Sequence, residues 1–251
     1  MSSVFPCGSI VIPHQDHRQL TSVLLIGAKQ TCKTSLLFQW AITLAQQTND
    51  EIVFISPNII NKKPIEVHGM PKPTSSLLEL IKITYISTYD EMINYLSDFH
   101  QSKTFPAAFI IDDLNILVNR RSEKQQIGNA IINVSNLQRE QDEKIQMSKL
   151  SALLIDTANF CLKKRNKAFS VIAAYNTEMI SSTTLIEETL LLAQSVGKRF
   201  FNQVWVIEKA ENFLRKQNYF RLKVPKDQFS FFNIYYYFDD KHVVLDKITL
   251  C

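Results

Sequence analysis

The stretch "SVLLIGAKQTCKTSLLFQWAITLAQQ", residues 22–47, constrains this chain more than any other. "SVLLIG" (22–27) is an unbroken apolar run, the pattern of a short strand buried on both faces. "KTSLLFQWAITLAQQ" (33–47) places apolar residues at helical spacing and ends in polar ones. A strand, a glycine, a short polar loop and a Lys-Thr helix start together match the phosphate-loop pattern G-x-x-x-x-G-K-[ST]. Gly27 is expected to turn the chain tightly out of the strand. The backbone N–H groups of Ala28, Lys29, Gln30, Thr31, Cys32, Lys33 and Thr34 would cradle phosphates, with Ser35 closing the site. Lys33 would reach the β- and γ-phosphates of ATP, and the Thr34 hydroxyl would ligate Mg2+.

Cys32 stands where the pattern has its second glycine. With a positive φ at that position, its Cβ costs on the order of 1–3 kcal/mol. With a negative φ, a small residue fits and the main effect is crowding of the phosphate. The thiol also offers the loop a site for oxidation. Glycine is scarce throughout, five in 251 residues. The loops are therefore built from polar residues, and Gly27 directly after a strand is the more telling.

Strand and helix patterns alternate after the loop. "EIVFIS" (51–56), "KITYIS" (82–87) and "AAFIIDDL" (107–114) read as strands, and "AFSVIAAY" (168–175) as a further, buried one. "TYDEMINYLSDFHQ" (88–101) reads as a helix with a Thr88/Glu91 capping box. "KLSALLIDTANFCLKKRN" (149–166) reads as an amphipathic helix with a basic last turn, and 129–137 as a helical core in a polar region. Residues 183–196 suit a short helix. Four prolines make 57–76 an irregular connection. From residue 202 the pattern changes, and "NYFRLKV", "FSFFNIYYYF" and "HVVLDKI" read as short antiparallel strands. The predicted fold is α/β: a mostly parallel, doubly wound sheet with antiparallel C-terminal strands. It forms one domain, with an extension (1–21), a phosphate-loop core (22–178) and C-terminal hairpins (202–251).

Composition excludes several classes. No apolar run approaches the ~18–20 residues that span a bilayer, and no basic segment precedes an apolar stretch at the N-terminus. The cysteines Cys7, Cys32, Cys161 and Cys251 lie far apart, which fits reduced thiols rather than a disulfide frame or zinc site. His14, Asp16 and His17 are a weak metal signal and read as a loop. The net charge of +4 is compatible with nucleic acid without being diagnostic of it.

Asp112 closes the run "AFIID" and reads as the Walker B carboxylate, an acid at the tip of a buried strand that holds Mg2+ through water. Asp113, its neighbour on the other face, has the lesser claim. The order of these blocks resembles a RecA-type P-loop core. More closely, "LLIG…KTSLLFQWA", "IVFISP", "LLELIKITYIST", "FIIDDL" and "LLIDTANF", spread over residues 22–178, resemble the small SWIM-domain-associated ATPases. Those are recombinase paralogues that pair with a zinc-binding SWIM-domain protein in the animal Shu-type complex.

The resemblance implies an accessory factor in homologous recombination that acts in the nucleus. It implies a DNA-stimulated ATPase that binds single-stranded DNA, pairs with a SWIM-domain protein and supports the recombinase filament. It places Asn58 where RecA-type ATPases keep a catalytic Glu, and Asn176 among Tyr175–Thr177 as the γ-phosphate sensor. Asn can position a water but is no base. Together with Cys32 this leaves open a catalytically inactive pseudo-ATPase that serves as an interaction subunit. An unrelated P-loop enzyme fits less well. Neither Asn61-Lys62 nor Asn166-Lys167 continues as the Asn-Lys-x-Asp of a GTPase, and there is no clear arginine-rich lid.

RecA-type DNA loops follow the Walker B and sensor strands, which points to Arg120, Arg121, Lys198 and Arg199. The segment 209–226 carries six basic residues and one acidic residue, Arg215 and Lys216 among them, interleaved with Phe213, Tyr219 and Phe220. Cations there would neutralise phosphates and the aromatics would stack bases. Phe38-x-x-Ala41 and Phe105-x-x-Ala108 match the tetrad by which recombinases polymerise, but their positions favour core packing.

Overall fold

A computed structural model describes residue 5 and residues 19–119, 136–177, 195–210, 218–225 and 231–250. The elements run β1 (Leu20–Ala28), α1 (Lys33–Thr48), β2 (Ile52–Ser56), β3 (Glu66–Val67), α2 (Ser75–Glu79), β4 (Ile81–Tyr85), α3 (Tyr89–Asp98), β5 (Ala108–Ile111), α4 (Leu114–Asn119), α5 (Asn136–Arg165), β6 (Phe169–Thr177), β7 (Gln203–Lys209), β8 (Tyr219–Pro225), β9 (Phe231–Phe238) and β10 (His242–Leu250). The strands form one sheet of ten in the order β3-β10-β9-β8-β7-β1-β6-β5-β2-β4. From β7 to β4 every pairing is parallel. β8, β9 and β10 add on antiparallel. The mostly parallel sheet with an antiparallel C-terminal edge matches the sequence expectation.

Alternation along the strands sorts the core into two layers. Val23 and Leu25 of β1, Ile52 and Phe54 of β2, and Ala108 and Ile110 of β5 face α1. Leu24 and Ile26, Val53 and Ile55, and Phe109 and Ile111 face the side of α3, α4 and α5. Both faces of the central strands are covered, which is why they read as unbroken apolar runs. α1 also packs on the C-terminal strands, where Trp40 stacks on Trp205 at 5.0 Å between ring centroids. Phe38, Ala41 and Ala108 are core residues and Phe105 is half-buried.

Local chemistry sets the helix ends. Thr88 Oγ1 accepts from Glu91 N, and the Glu91 carboxylate accepts from the N–H groups of Ser87 and Thr88, the expected capping box. α1 stops at Asn49, which adopts φ 52°, a conformation that Asn tolerates. Lys163, Lys164 and Arg165 fill the last turn of α5, at the negative end of its dipole. Arg165 is also structural: it donates to Asp50 Oδ2 at 2.8 Å and to the Phe105 carbonyl at 3.0 Å.

Four details differ from the sequence reading. The proline-rich connection holds a two-residue strand, β3, too short to leave a periodic signal, which pairs with β10. The long helix begins at Asn136 rather than at 149. β7 is parallel to β1 although the strands after it are antiparallel. The fourth strand ends at Ile111, so Asp112 lies just beyond it, Asp113 takes φ 50°, and α4 follows.

Gly27 needs a different explanation from the expected turn. It lies within β1, outside the positive-φ region, and pairs with both Asn176 and Ile207. A Cβ there would sit 2.9 Å from Ile207 Cβ and 3.3 Å from its carbonyl oxygen. Glycine is required by the close approach of β7. Gly27→Ala should therefore lower the unfolding free energy by about 1–3 kcal/mol, measured by urea denaturation.

Candidate nucleotide-binding site

The parallel strands β1, β5 and β6 bring three sequence-distant groups to one end of the sheet. α1 starts there at Lys33, Asp112 leaves β5, and Asn176 lies near the end of β6, directly across from Gly27. This is the carboxyl edge of the strands, where α/β sheets bind ligands.

The loop itself is held from inside. Lys33 is buried, and its Nζ donates to the Gly27 carbonyl at 2.9 Å, to the Ala28 carbonyl, and to Thr31 Oγ1 at 3.0 Å. Thr31 Oγ1 donates to the Ala28 carbonyl at 2.9 Å. Burial lowers the Lys33 pKa to about 8, while Asp113, Asp112 and Cys32 pull it back up. To meet a phosphate, this ammonium would have to exchange the loop's own carbonyls for phosphate oxygens.

Two loop residues carry a Cβ in the left-handed region: Gln30 at φ 62° and Cys32 at φ 59°. The strained alternative for Cys32 is the one realised, and Gln30 adds a second strained position that no sequence pattern marked. Cys32 is the N-cap of α1 without a side-chain capping bond. Burial pushes its thiol up to about 12, against a smaller lowering by Lys33, so the thiolate is not the resting form. Lys29 and Gln30 are exposed. Ser35 Oγ is turned to structure and accepts from Ile65 N at 3.0 Å.

Thr34 and Asp112 meet as the phosphate-loop reading expects. Thr34 Oγ1 donates to Asp112 Oδ2 at 2.7 Å. Asp112 is 4% exposed, and its Oδ1 has no hydrogen-bond partner among the described residues. An orphaned buried carboxylate oxygen beside a threonine hydroxyl is a donor set that fits Mg2+. Burial raises the Asp112 pKa to about 6, with the Asp113 charge adding to the rise; the Thr34 hydrogen bond and Lys33 oppose it.

Asp113, Asn115 and Asn176 form an adjacent polar cluster. Asn176 Nδ2 donates to Asp113 Oδ1, and Asn176 N donates to Asn115 Oδ1 at 3.0 Å. The amide suited to sensing a γ-phosphate is thus engaged by a carboxylate. Asn58 lies in the turn after β2, exposed, with its carbonyl accepting from Ser56 Oγ at 2.8 Å.

The structure adds one residue that the sequence reading left among the packing aromatics. Tyr236 of β9 is fully buried, and its hydroxyl donates to the Thr31 carbonyl at 2.9 Å. Alternation in "FSFFNIYYYF" places Tyr236 on the core face. Its partner 205 residues away carries no sequence signal.

Of the basic residues named as nucleic-acid candidates, the described residues include only Lys198 and Arg199. Lys198 and Arg199 are exposed on a helical turn over 195–200, and the Arg199 guanidinium lies 5.4 Å from the Phe200 ring. Arg120, Arg121, Arg215, Lys216 and Phe213 lie outside the described residues, as do His14, Asp16, His17, Cys7 and Cys251. Tyr219 and Phe220 are buried, and Arg221 and Lys223 pair with Glu208 at 2.6 and 2.9 Å. In the described part of the basic hairpin the aromatics are thus packed, and Arg221 and Lys223 share one carboxylate. No described helix is long and apolar enough to cross a membrane, and no described group of three His, Cys, Asp or Glu residues could hold a metal.

No protein-family model matches the chain. It is similar to the mouse protein named ATPase SWSAP1, 23% identical over 161 residues, covering 62% of this chain and 49% of that protein. The chain thus spans about half the length of the relative it matches. Among solved structures it is similar to a KaiC-like protein from Pyrococcus horikoshii OT3 (14% identity, 90% of this chain, 89% of that chain, TM-score 0.50). It is also similar to a second solved structure, an ATPase domain (10% identity, 93% of this chain, 86% of that chain, TM-score 0.51). The fold is RecA-like α/β.

Asp112 supplies a pH test. Its folded pKa, about 6, lies above the ordinary value of 3.8. Its charged form is therefore disfavoured on folding; the destabilisation is fully present above pH 6 and is relieved as pH falls toward 4. Asp112→Asn should be more stable than the parent at pH 7, by on the order of 2 kcal/mol. The gain should vanish near pH 4, as followed by urea unfolding with chelator present.

Proposed function

We propose that this chain is an accessory factor of homologous recombination that binds MgATP at residues 27–35. In this reading it turns ATP over slowly, in response to single-stranded DNA. The observation that carries the nucleotide part is the Thr34–Asp112 hydrogen bond with Asp112 Oδ1 left free beside it. Lys33, Thr34 and Asp112 come from the two elements that a phosphate loop and a Walker B strand supply. Thr34 and Asp112 would hold Mg2+, which when bound neutralises phosphate charge and orients the γ-phosphoryl group. Lys33 would leave the Gly27 and Ala28 carbonyls and bind the β- and γ-phosphates. Asn176 would present its amide to the γ-phosphate once released from Asp113, and Asn58 would position water without removing its proton.

The recombination role rests on the resemblance to SWIM-domain-associated ATPases and on the similarity to mouse ATPase SWSAP1. In that role the partners are a SWIM-domain zinc-binding protein, the recombinase filament and single-stranded DNA, and the place of action is the nucleus. The DNA surface would be formed by Arg120, Arg121, Lys198, Arg199, Arg215 and Lys216. Arg221 and Lys223, already paired with Glu208, contribute less.

A second reading, a binding subunit that does not hydrolyse, is favoured by one group of observations. Cys32 holds a left-handed conformation, Lys33 is bonded inward, and an asparagine stands at position 58.

Lys33→Ala should weaken binding of a fluorescent ATP analogue at least tenfold, since a buried charge-assisted contact to phosphate is worth ~1.5–3 kcal/mol; an unchanged affinity would sink the nucleotide assignment. ATP turnover should rise when single-stranded DNA is added, and DNA affinity should fall steeply with salt. Tight nucleotide binding with no turnover under either condition selects the second reading.

A further inference from the structure

We propose that Tyr236 is a positioning residue for the phosphate-binding loop, and that its hydroxyl compensates for a cysteine where the backbone favours glycine. This rests on the nucleotide-binding reading above.

The peptide between Thr31 and Cys32 is the point of control. Its rotation changes ψ of Thr31 and φ of Cys32 together, while the peptide itself stays planar. A bond to the Thr31 carbonyl therefore restrains φ of Cys32 together with ψ of Thr31. Tyr236 makes that bond at 2.9 Å. The carbonyl and N–H of a trans peptide point in opposite directions. Holding the Thr31 carbonyl toward Tyr236 thus aims the Cys32 N–H away from it, as one of the loop donors that would meet phosphate.

The tyrosine is well placed to hold a strained loop. It is 0% exposed, and its ring packs against Phe5 (5.4 Å between centroids) and Phe220 (5.7 Å). β9 is paired on both sides at this point, with Phe220 of β8 and Leu245 of β10 opposite Tyr236. Thr31 is gripped further through Oγ1, which donates to Ala28 and accepts from Lys33. Left-handed residues with a Cβ persist only where the surroundings over-determine them. Here the surroundings are a residue from the far end of the chain. The C-terminal strands and the candidate nucleotide site are therefore mechanically linked.

The test is a double-mutant cycle in the full chain, with Tyr236→Phe made in the natural sequence and in the Cys32→Gly chain. Glycine takes the left-handed conformation without strain, so the loop then needs the hydroxyl less. Binding of a fluorescent ATP analogue with Mg2+ should weaken about tenfold on Tyr236→Phe in the natural sequence, the loss of one buried hydrogen bond, and by under about threefold in the Cys32→Gly chain. Equal losses in both chains mean that Tyr236 only packs, and overturn the proposal. If neither chain binds the analogue, the nucleotide reading fails. The same cycle read by urea unfolding then decides on Tyr236: a smaller loss with glycine at position 32 upholds it and equal losses overturn it. If Tyr236→Phe folds only when combined with Cys32→Gly, that difference is the coupling; if it folds in neither chain, the proposal fails.

Discussion

The structure is organised around a strand with no free side. β1 pairs with β6 along its whole length and with β7 from Val23 to Gly27, and Val23 to Ile26 bury both of its faces. Its position dictates where the loop can emerge. The chain leaves β1 at Ala28 and enters α1 at Lys33, which packs back over the sheet. The approach of β7 is so close that only glycine fits at position 27. The first glycine of the phosphate-loop pattern is thus a packing requirement of the sheet.

Around this frame, charge burial gives the site its character. Lys33 and Asp112 are both buried, and burial moves each toward its neutral form while their mutual attraction moves each back. Neither group has complete compensation: Lys33 leans on neutral carbonyl and hydroxyl oxygens, and one Asp112 oxygen has no described partner. A phosphate and a divalent cation are complementary to such a pair. A buried lysine and aspartate in this condition cost stability.

Much of this was legible in the sequence for a physical reason. The central strands are buried on both faces, so their apolar runs are unbroken and their ends sharp. "SVLLIG", "EIVFIS" and "AFSVIAAY" each fall on such a strand, whereas "KITYIS" falls on the edge strand β4, where Lys82, Ile83 and Tyr85 are exposed and β-branched and aromatic residues mark the strand instead. The Thr88/Glu91 cap was readable because both partners lie within four residues. β3 was not readable, because two residues have no period and its pairing with β10 is long-range. The basic hairpin misled for a related reason. Charges at 221 and 223 look free in one dimension, but β7 lies alongside and supplies Glu208.

The sequence by itself determined the class of the fold and the identity of the loop. Hydrophobic period and local capping act over a few residues and mark the strands and helices, while the motif pattern singled out Gly27, Lys33, Thr34 and Asp112. Tertiary structure alone decided how the loop is held. Cys32 took the left-handed conformation because Tyr236, 204 residues later in the chain, holds the peptide next to it. Thr34 met Asp112 because parallel pairing of β1, β6 and β5 carries both to one edge. Such pairings follow from the way the sheet closes in space, and no local pattern of residues encodes them.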